Sequence, residues 1–277
     1  MNVFQLIHTV LDELYAAIPG SDIEKDDAVK KQLTALNDGY SKLSVKNNIT
    51  YTDPATRFAY IYRYVTSHSN LVYQAISSTT ELVELFKCPK VNVSCVGGGP
   101  GSDLLGILKY LSFGKNKCTN VRCHLLDGEN AWADAWSDVD QKLASQCTIS
   151  TYFLAMNICE AKSWSLHSKY LNADLITMIY FMSEIYSRQK ESQPYFEHLF
   201  QRAKKGSLFL YIDNNSGMFF DWFDQLAKTS GLDVLRKEQE KMGMPPDEEK
   251  KDLGKYFEKF GPVKLDANVA YRICRKL

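Results

Sequence analysis

Over roughly the first ninety positions, apolar residues recur every three or four places and no alternating run interrupts them, so this part reads as helix throughout. Val3, Leu6, Ile7, Val10, Leu11 and Leu14 mark one amphipathic helix that ends at Pro19-Gly20. A second is predicted over residues 22–43, with Val29, Leu33, Leu36 and Tyr40 on one face and charges on the other, closed by Asn47-Asn48. The third opens at Asp53-Pro54, a cap residue followed by a proline at the first helical position, and runs toward Ile76. At about 100° per residue, Phe58, Ile61, Val65, Val72 and Ile76 share one apolar stripe. Arg57, Tyr60, Tyr64 and His68 form a polar-aromatic stripe beside it. That second stripe is either packing at the edge of a helical layer or a lid over whatever follows.

From residue 90 the period changes. The run from Val91 to Val96 is a strand that stops at Gly97-Gly98-Gly99-Pro100-Gly101, and a helical pattern starts at once from Ser102 and Asp103. A second strand ends at Asp127, and helical spacing returns over residues 129–143, with Trp132 and Trp136 as expected core contacts. Further strands are predicted over residues 148–155, 173–181, 207–212, 232–236 and 268–275. Helices are predicted over 194–203 and about 247–260. Strands alternating with helices imply right-handed crossovers and a largely parallel sheet. The division expected is a helical cap or lid region at 1–88 and an α/β domain at 89–277.

Composition narrows the class. Thirty-three Lys and Arg balance thirty-three Asp and Glu, so no whole-chain field steers the protein toward phosphate backbones or membranes, although a local basic patch is allowed. The charge run 247–252 is read as solvated surface. Seven cysteines without a CxxC pair argue for a reducing compartment, no disulfide framework and no metal site. Asp12 and Glu13 stand where a signal peptide would be basic or apolar, and no run approaches membrane-spanning length; a soluble, cytoplasmic protein is expected.

In an open α/β sheet, ligands sit outside the carboxyl ends of the strands. The glycine turn, Asp127 and the end of the fourth strand therefore converge on one crevice. Glycines allow close approach of a ligand to the backbone, and an acid at the tip of the second strand suits ribose hydroxyls. An adenosine-containing cofactor fits. The dinucleotide fingerprint G-x-G-x-x-G fails, because the sixth position from Gly97 is Ser102 and from Gly99 is Leu104.

With Val96-Gly97-Gly98-Gly99-Pro100-Gly101-Ser102, Leu125-Leu126-Asp127 and the stretch from Ala173 to Phe181, the chain over residues 90–277 resembles the class I S-adenosylmethionine-dependent methyltransferases. The resemblance implies a seven-stranded Rossmann-like sheet with helices on both faces and an antiparallel last strand. It implies S-adenosylmethionine as cofactor, with Gly97, Gly99 and Gly101 under its methionine part and Asp127 on its ribose. Asn157 falls where the family places a polar residue for the adenine amine. Many members carry an acid two positions before the first glycine; this chain has Cys95 there. Asp103, Asp174 or a tyrosine of the third helix, such as Tyr60 or Tyr64, is expected to take over the ammonium group, with Ser102 alongside.

Residues after the fourth strand line the acceptor side in that fold, so Tyr180, Phe181, Ser183 and Glu184 are acceptor-site candidates, with Asp213 and Asn214 after the fifth. Methyl transfer needs positioning and desolvation more than a dedicated acid or base. No Asn/Asp-Pro-Pro-Tyr pattern is present, which removes support for methylation of exocyclic base amines. Neutral charge and a helical cover favour a small-molecule N or O acceptor. The alternatives are an RNA or protein acceptor, or a catalytically inactive cofactor-binding module.

Overall fold

The computed structural model spans residues 1–277 and describes all of them except 44, 46–48, 115, 144, 146 and 248. Helices α1 (Val3–Ala16), α2 (Asp22–Tyr40), α3 (Pro54–Tyr60), α4 (Thr66–Ser77) and α5 (Thr80–Leu85) precede the first strand. Ser21 and Glu24 form a reciprocal capping box at the start of α2, and Asp53 caps α3 through the Ala55 N–H with Pro54 beside it. The close expected at Asn47-Asn48 lies outside the described residues. The third predicted helix is one rod with an irregularity: a π segment, Ile61–Val65, joins α3 to α4. One more residue in that turn widens it, and such segments recur at functional sites.

Seven strands follow: β1 (Lys90–Val96), β2 (Asn120–Asp127), β3 (Thr148–Ala155), β4 (Leu175–Ile179), β5 (Leu208–Asn214), β6 (Leu232–Gly243) and β7 (Asp266–Lys276). Their order across the sheet is β3-β2-β1-β4-β5-β7-β6. The first five are parallel, and β7 runs antiparallel between β5 and β6. This is the sheet of the class I S-adenosylmethionine-dependent methyltransferase fold. The order reverses between β1 and β4, which is where such sheets open a crevice.

Alternation along the strands feeds two cores. Leu175 and Ile179 of β4 face the layer containing α1, α3, α4, α6 (Ser102–Ser112) and α7 (Trp132–Lys142). Ile176 and Met178 face the layer of α8 (Ala161–Trp164), α10 (Gln189–Arg202) and α11 (Gly217–Thr229). Residues 1–88 and the sheet thus share one hydrophobic cluster.

Several boundaries differ from the pattern reading. β6 continues to Gly243, well past the expected 236, because its second half is a charged edge strand paired only to β7. The helix expected over 247–260 is shorter: a 3-10 turn, Lys250–Leu253, precedes α12 (Lys255–Phe260). α10 starts at Gln189 and contains Pro194, which the pattern placed at its start. A short α9 (Phe181–Ile185) follows β4, and α11 fills the β5–β6 crossover.

α4 lies against α6 at Gly106. A Cβ there would collide with the Ser69 carbonyl oxygen and stand 2.6 Å from Val72 Cβ. Alanine normally stabilises a helix interior by about 1 kcal/mol over glycine; here overpacking against backbone reverses the sign. Gly106→Ala is expected to destabilise the fold by about 1–3 kcal/mol, measured as a lower denaturant midpoint with unchanged slope.

Candidate functional site

The turn after β1 is hung on β2: the Gly97 and Gly98 N–H groups both donate to the Leu126 carbonyl, at 2.8 and 3.1 Å. Gly97, Gly99 and Gly101 have φ of 68°, 44° and 87°, a region that L side chains rarely adopt. Packing adds a second demand. The Phe181 ring occupies the place a Cβ would take on Gly97, and the Trp136 ring does so on Gly101. Asp127 fastens the middle of the turn. Its Oδ2 accepts the Gly99 N–H at 2.9 Å and its Oδ1 accepts the Glu129 N–H at 3.0 Å.

Cys95, at the position of the missing acid, is fully buried, with its Sγ 3.6 Å from Cys123 Sγ. The acid nearest in the fold is Asp103, 1% exposed in the first turn of α6. Its Oδ2 accepts the Thr177 hydroxyl at 2.5 Å, and Ser102 Oγ lies 3.4 Å from its Oδ1. Thr177 is the register partner of Cys95 on β4, so this carboxyl bridges the point where strand order reverses. Asp174 cannot do so. It precedes β4 at the opposite end of the sheet, accepting from the Asn92 N–H and from Lys204.

At the tip of β4, Tyr180 adopts φ 57° and ψ 19°, the only non-glycine residue with positive φ among those described. For a bulky side chain this is strain, held by the Tyr180 N–H to Ile212 carbonyl bond of 2.7 Å. Ser183 N–H donates to Asp213 Oδ2 at 2.9 Å, and Asn214 N–H donates to its Oδ1 at 2.7 Å. Glu184 Oε1 accepts the Tyr40 hydroxyl at 3.0 Å, and Tyr40 and Tyr51 share a hydroxyl pair at 2.7 Å.

Four carboxyls therefore gather at the strand ends. Burial pushes Asp127 and Asp213 up to about 6, Asp103 to about 7 and Glu184 to about 8, against the pull of their hydrogen bonds. Among the described residues, Asp103, Asp127 and Asp213 have no cationic side chain within salt-bridge distance. Lys264 acts on Asp213 from a longer range.

Over the crevice lies an aromatic layer. Tyr60, Tyr64 and His68 touch one another, with ring centroids 5.4, 5.8 and 6.1 Å apart, and Tyr60 reaches Trp132 at 5.5 Å. Trp132 Nε1 is 3.7 Å from where a Cβ on Gly99 would stand, so this tryptophan packs at the turn itself. Arg57 leaves that stripe and donates to the Tyr51 and Thr52 carbonyls. Asn157 follows β3, its side chain used within its own loop by Glu160 and the Cys159 N–H.

Beyond Tyr180 and Ser183 opens a cavity of about 250 Å³ that also involves Arg63, Tyr64, His68, Asn214 and Lys264. Sequence patterns point to neither Lys264 nor Thr177, Tyr40 or Tyr51 as site residues. Lys264 sits in the β6–β7 connection and reaches the site through its N–H bond to the Arg63 carbonyl, 3.1 Å, a pairing no spacing rule reveals. Among the described residues, no group of three or more His, Cys, Asp or Glu could hold a metal, and no helix is long and apolar enough to cross a membrane.

No family model matches the chain. A curated relative, the 25S rRNA (uridine(2843)-N(3))-methyltransferase of Saccharomyces cerevisiae, is 23% identical over 243 residues, covering 74% of this chain. The chain spans about 63% of that relative's length. Among solved structures, a candidate RNA methyltransferase of Pyrococcus horikoshii is similar at 15% identity and TM-score 0.46, covering 90% of this chain and 98% of that one. A SAM-dependent methyltransferase of Methanosarcina mazei gives 10% identity, 71% and 97% coverage and TM-score 0.46. TYW2 of P. horikoshii in complex with MeSAdo gives 12%, 83% and 66%, and 0.42.

The raised carboxyls have a consequence for stability. Each binds its proton more tightly in the folded chain than in the unfolded one, so its contribution is complete below the ordinary carboxyl range and is lost as pH rises through the folded value. The melting temperature of the protein alone is expected to fall as pH climbs through about 6, 7 and 8, where Asp127, Asp103 and Glu184 ionise. Asp103→Asn should flatten the middle of that decline; an unaltered profile would mean that Asp103 is not protonated when buried.

Proposed function

We propose that this chain, which has the fold of the class I S-adenosylmethionine-dependent methyltransferases, is such an enzyme and methylates a nitrogen of RNA. The observation that carries the reading is the glycine turn fastened to Asp127 beside Asp103, a buried carboxyl with no cationic side chain within salt-bridge distance among the described residues. A ligand bearing an ammonium and a sulfonium supplies the missing positive charge. It also supplies ribose hydroxyls for Asp127. When bound, S-adenosylmethionine offers a methyl carbon activated by the attached positive sulfur.

The residues take distinct parts in this reading. The backbone of Gly97, Gly99 and Gly101 lets the cofactor approach closely, and Asp127 accepts hydrogen bonds from ribose. Asp103, with Ser102 and Thr177 orienting it, replaces the acid lost at Cys95 and receives the ammonium group. The faces of Tyr60 and Tyr64 favour a neighbouring cation. The helices before β1 act as a cover that excludes water. Tyr180, Phe181, Ser183 and Glu184 border the acceptor side. Asn157 is retained as an adenine contact only if its loop rearranges.

RNA is favoured as acceptor because the yeast relative is an rRNA methyltransferase acting on a ring nitrogen. A small-molecule acceptor is the second reading, favoured by the balanced charge of the chain. Salt separates the two: phosphate contacts release counterions, so RNA methylation should weaken steeply with added salt.

S-adenosylhomocysteine is expected to raise the melting temperature, and a nicotinamide dinucleotide to leave it unchanged; the opposite pattern sinks the proposal. Asp127→Ala should weaken cofactor binding by about 1.5–3 kcal/mol, the worth of hydrogen bonds to a charged group, read by calorimetry. An affinity equal to the parent's removes Asp127 from the site.

A further inference from the structure

A second concavity, of about 690 Å³, opens on the face of the sheet at the flank where β3 is the edge. Side chains two apart on a strand share a face, so Arg122 and His124 of β2 point to the same side as Leu126, which joins the core under α10 and α11. Tyr152 is the register partner of His124, and Asn92 of Arg122, so all four lie on that face. The crossover from β3 to β4 carries only α8, of four residues, and a 3-10 turn, Lys169–Asn172. Neither is long enough to roof this part of the sheet. Tyr152 stays 48% exposed and Leu166, at the rim, 89%.

The chemistry of this face is basic and aromatic. None of its lining residues is acidic. Arg122 and Lys169 have no carboxylate within salt-bridge distance among the described residues. Burial, and after it the charges of Arg122 and Lys169, hold the His124 imidazole below its usual range, so it stands neutral against Tyr152. The two rings stack with centroids 5.4 Å apart and planes at 26°. That contact braces the tyrosine while nearly half of it faces water. Asn92 is drawn toward Asp174, and Lys204 already pairs with that carboxylate.

We infer that this face is a docking platform for single-stranded RNA, with a base stacked on Tyr152 and phosphates held by Arg122 and Lys169. The inference rests on the reading of RNA as the acceptor and adds a place where the strand is held, apart from the site of methyl transfer. Charge complementarity names the occupant: two cations flank an exposed, braced ring, the arrangement that tracks a polyanion while stacking its bases. The chain as a whole has no net charge, so this local pair, and not an overall field, has to find the phosphates. A duplex offers Tyr152 no free base face. β3 and β4 stand three places apart in the sheet, about 14 Å at the usual strand spacing. A strand held here therefore reaches the cavity beside Tyr180 only through further nucleotides, and the platform governs RNA affinity without touching the reacting atoms.

The test uses the full chain and a labelled single-stranded RNA of mixed sequence, alone and annealed to its complement. The single strand is expected to bind more tightly than the duplex. Tyr152→Ala should weaken that binding by about fivefold or more, as the loss of one stacked base does. Arg122→Gln combined with Lys169→Gln should lower the slope of log affinity against log salt by about 1.4, the counterion release of two phosphates on a single strand. Both variants should keep the parent's melting shift with S-adenosylhomocysteine, which shows that the fold and the cofactor crevice are intact. Variants that bind the strand with the parent's affinity and salt slope overturn the inference and leave the face to a protein partner. Equal affinity of the parent for strand and duplex also overturns it. A parent chain that binds neither RNA overturns RNA as the acceptor, and one that gives no shift with S-adenosylhomocysteine overturns the methyltransferase reading.

Discussion

Backbone hydrogen bonds to one carboxyl hold the site in shape. Asp127 accepts N–H groups from Gly99 and Glu129, tying the loop after β1 to the loop after β2. The turn between them has three residues in a backbone region open almost only to glycine, and this tie adds to the Gly97 and Gly98 bonds to the Leu126 carbonyl in selecting one conformation for it. Trp132, Trp136 and Phe181 then pack against a fixed surface. The tyrosine layer rests in turn on Trp132, so the cover inherits its position from the same carboxylate.

Electrostatics divide the crevice in two. On the side of the glycine turn, carboxyls crowd until burial forces their protonation upward; beyond Tyr180, cations gather and Lys264 is forced downward. The rings of Tyr64, His68 and Tyr180 stand beside Lys264, and Asp213 acts on it from the carboxyl side. Under the proposed function, the positively charged donor would lie on the side of the carboxyls and the acceptor beyond the rings, where exclusion of water favours transfer.

How much of this could be read from the chain depended on how local the signal was. The parallel strands and the glycine turn are written in contiguous apolar runs, and the antiparallel β7 in one more. The far half of β6 is not, because an edge strand exposed to water carries the charges of a loop, as Lys237, Glu238, Glu240 and Lys241 do. α11 does carry a helical pattern in Phe219, Trp222, Phe223 and Leu226, but a reading centred on strands passes over it. Of the candidate site, the glycine turn and its neighbour Asp127 could be read because a motif is local. Asp174 misled because an acid beside a strand has two ends to choose from, and this one took the wrong end. Lys264 was hidden, since it is brought there by contacts distant in sequence, among them a main-chain bond to a residue two hundred positions earlier.

The missing side chain at Gly106 bears on how anything gets in. With no Cβ to separate them, α4 and α6 touch backbone to side chain, and α6 carries Asp103 at its head. Tyr60, Tyr64 and His68 belong to the same rod as α4 and cannot swing away without dragging that seam apart. α2 meets the site at its end, where the Tyr40 hydroxyl donates to Glu184. That bond ends on a carboxyl raised to about 8 by burial, so the end of α2 is tied to a group whose charge changes near that pH.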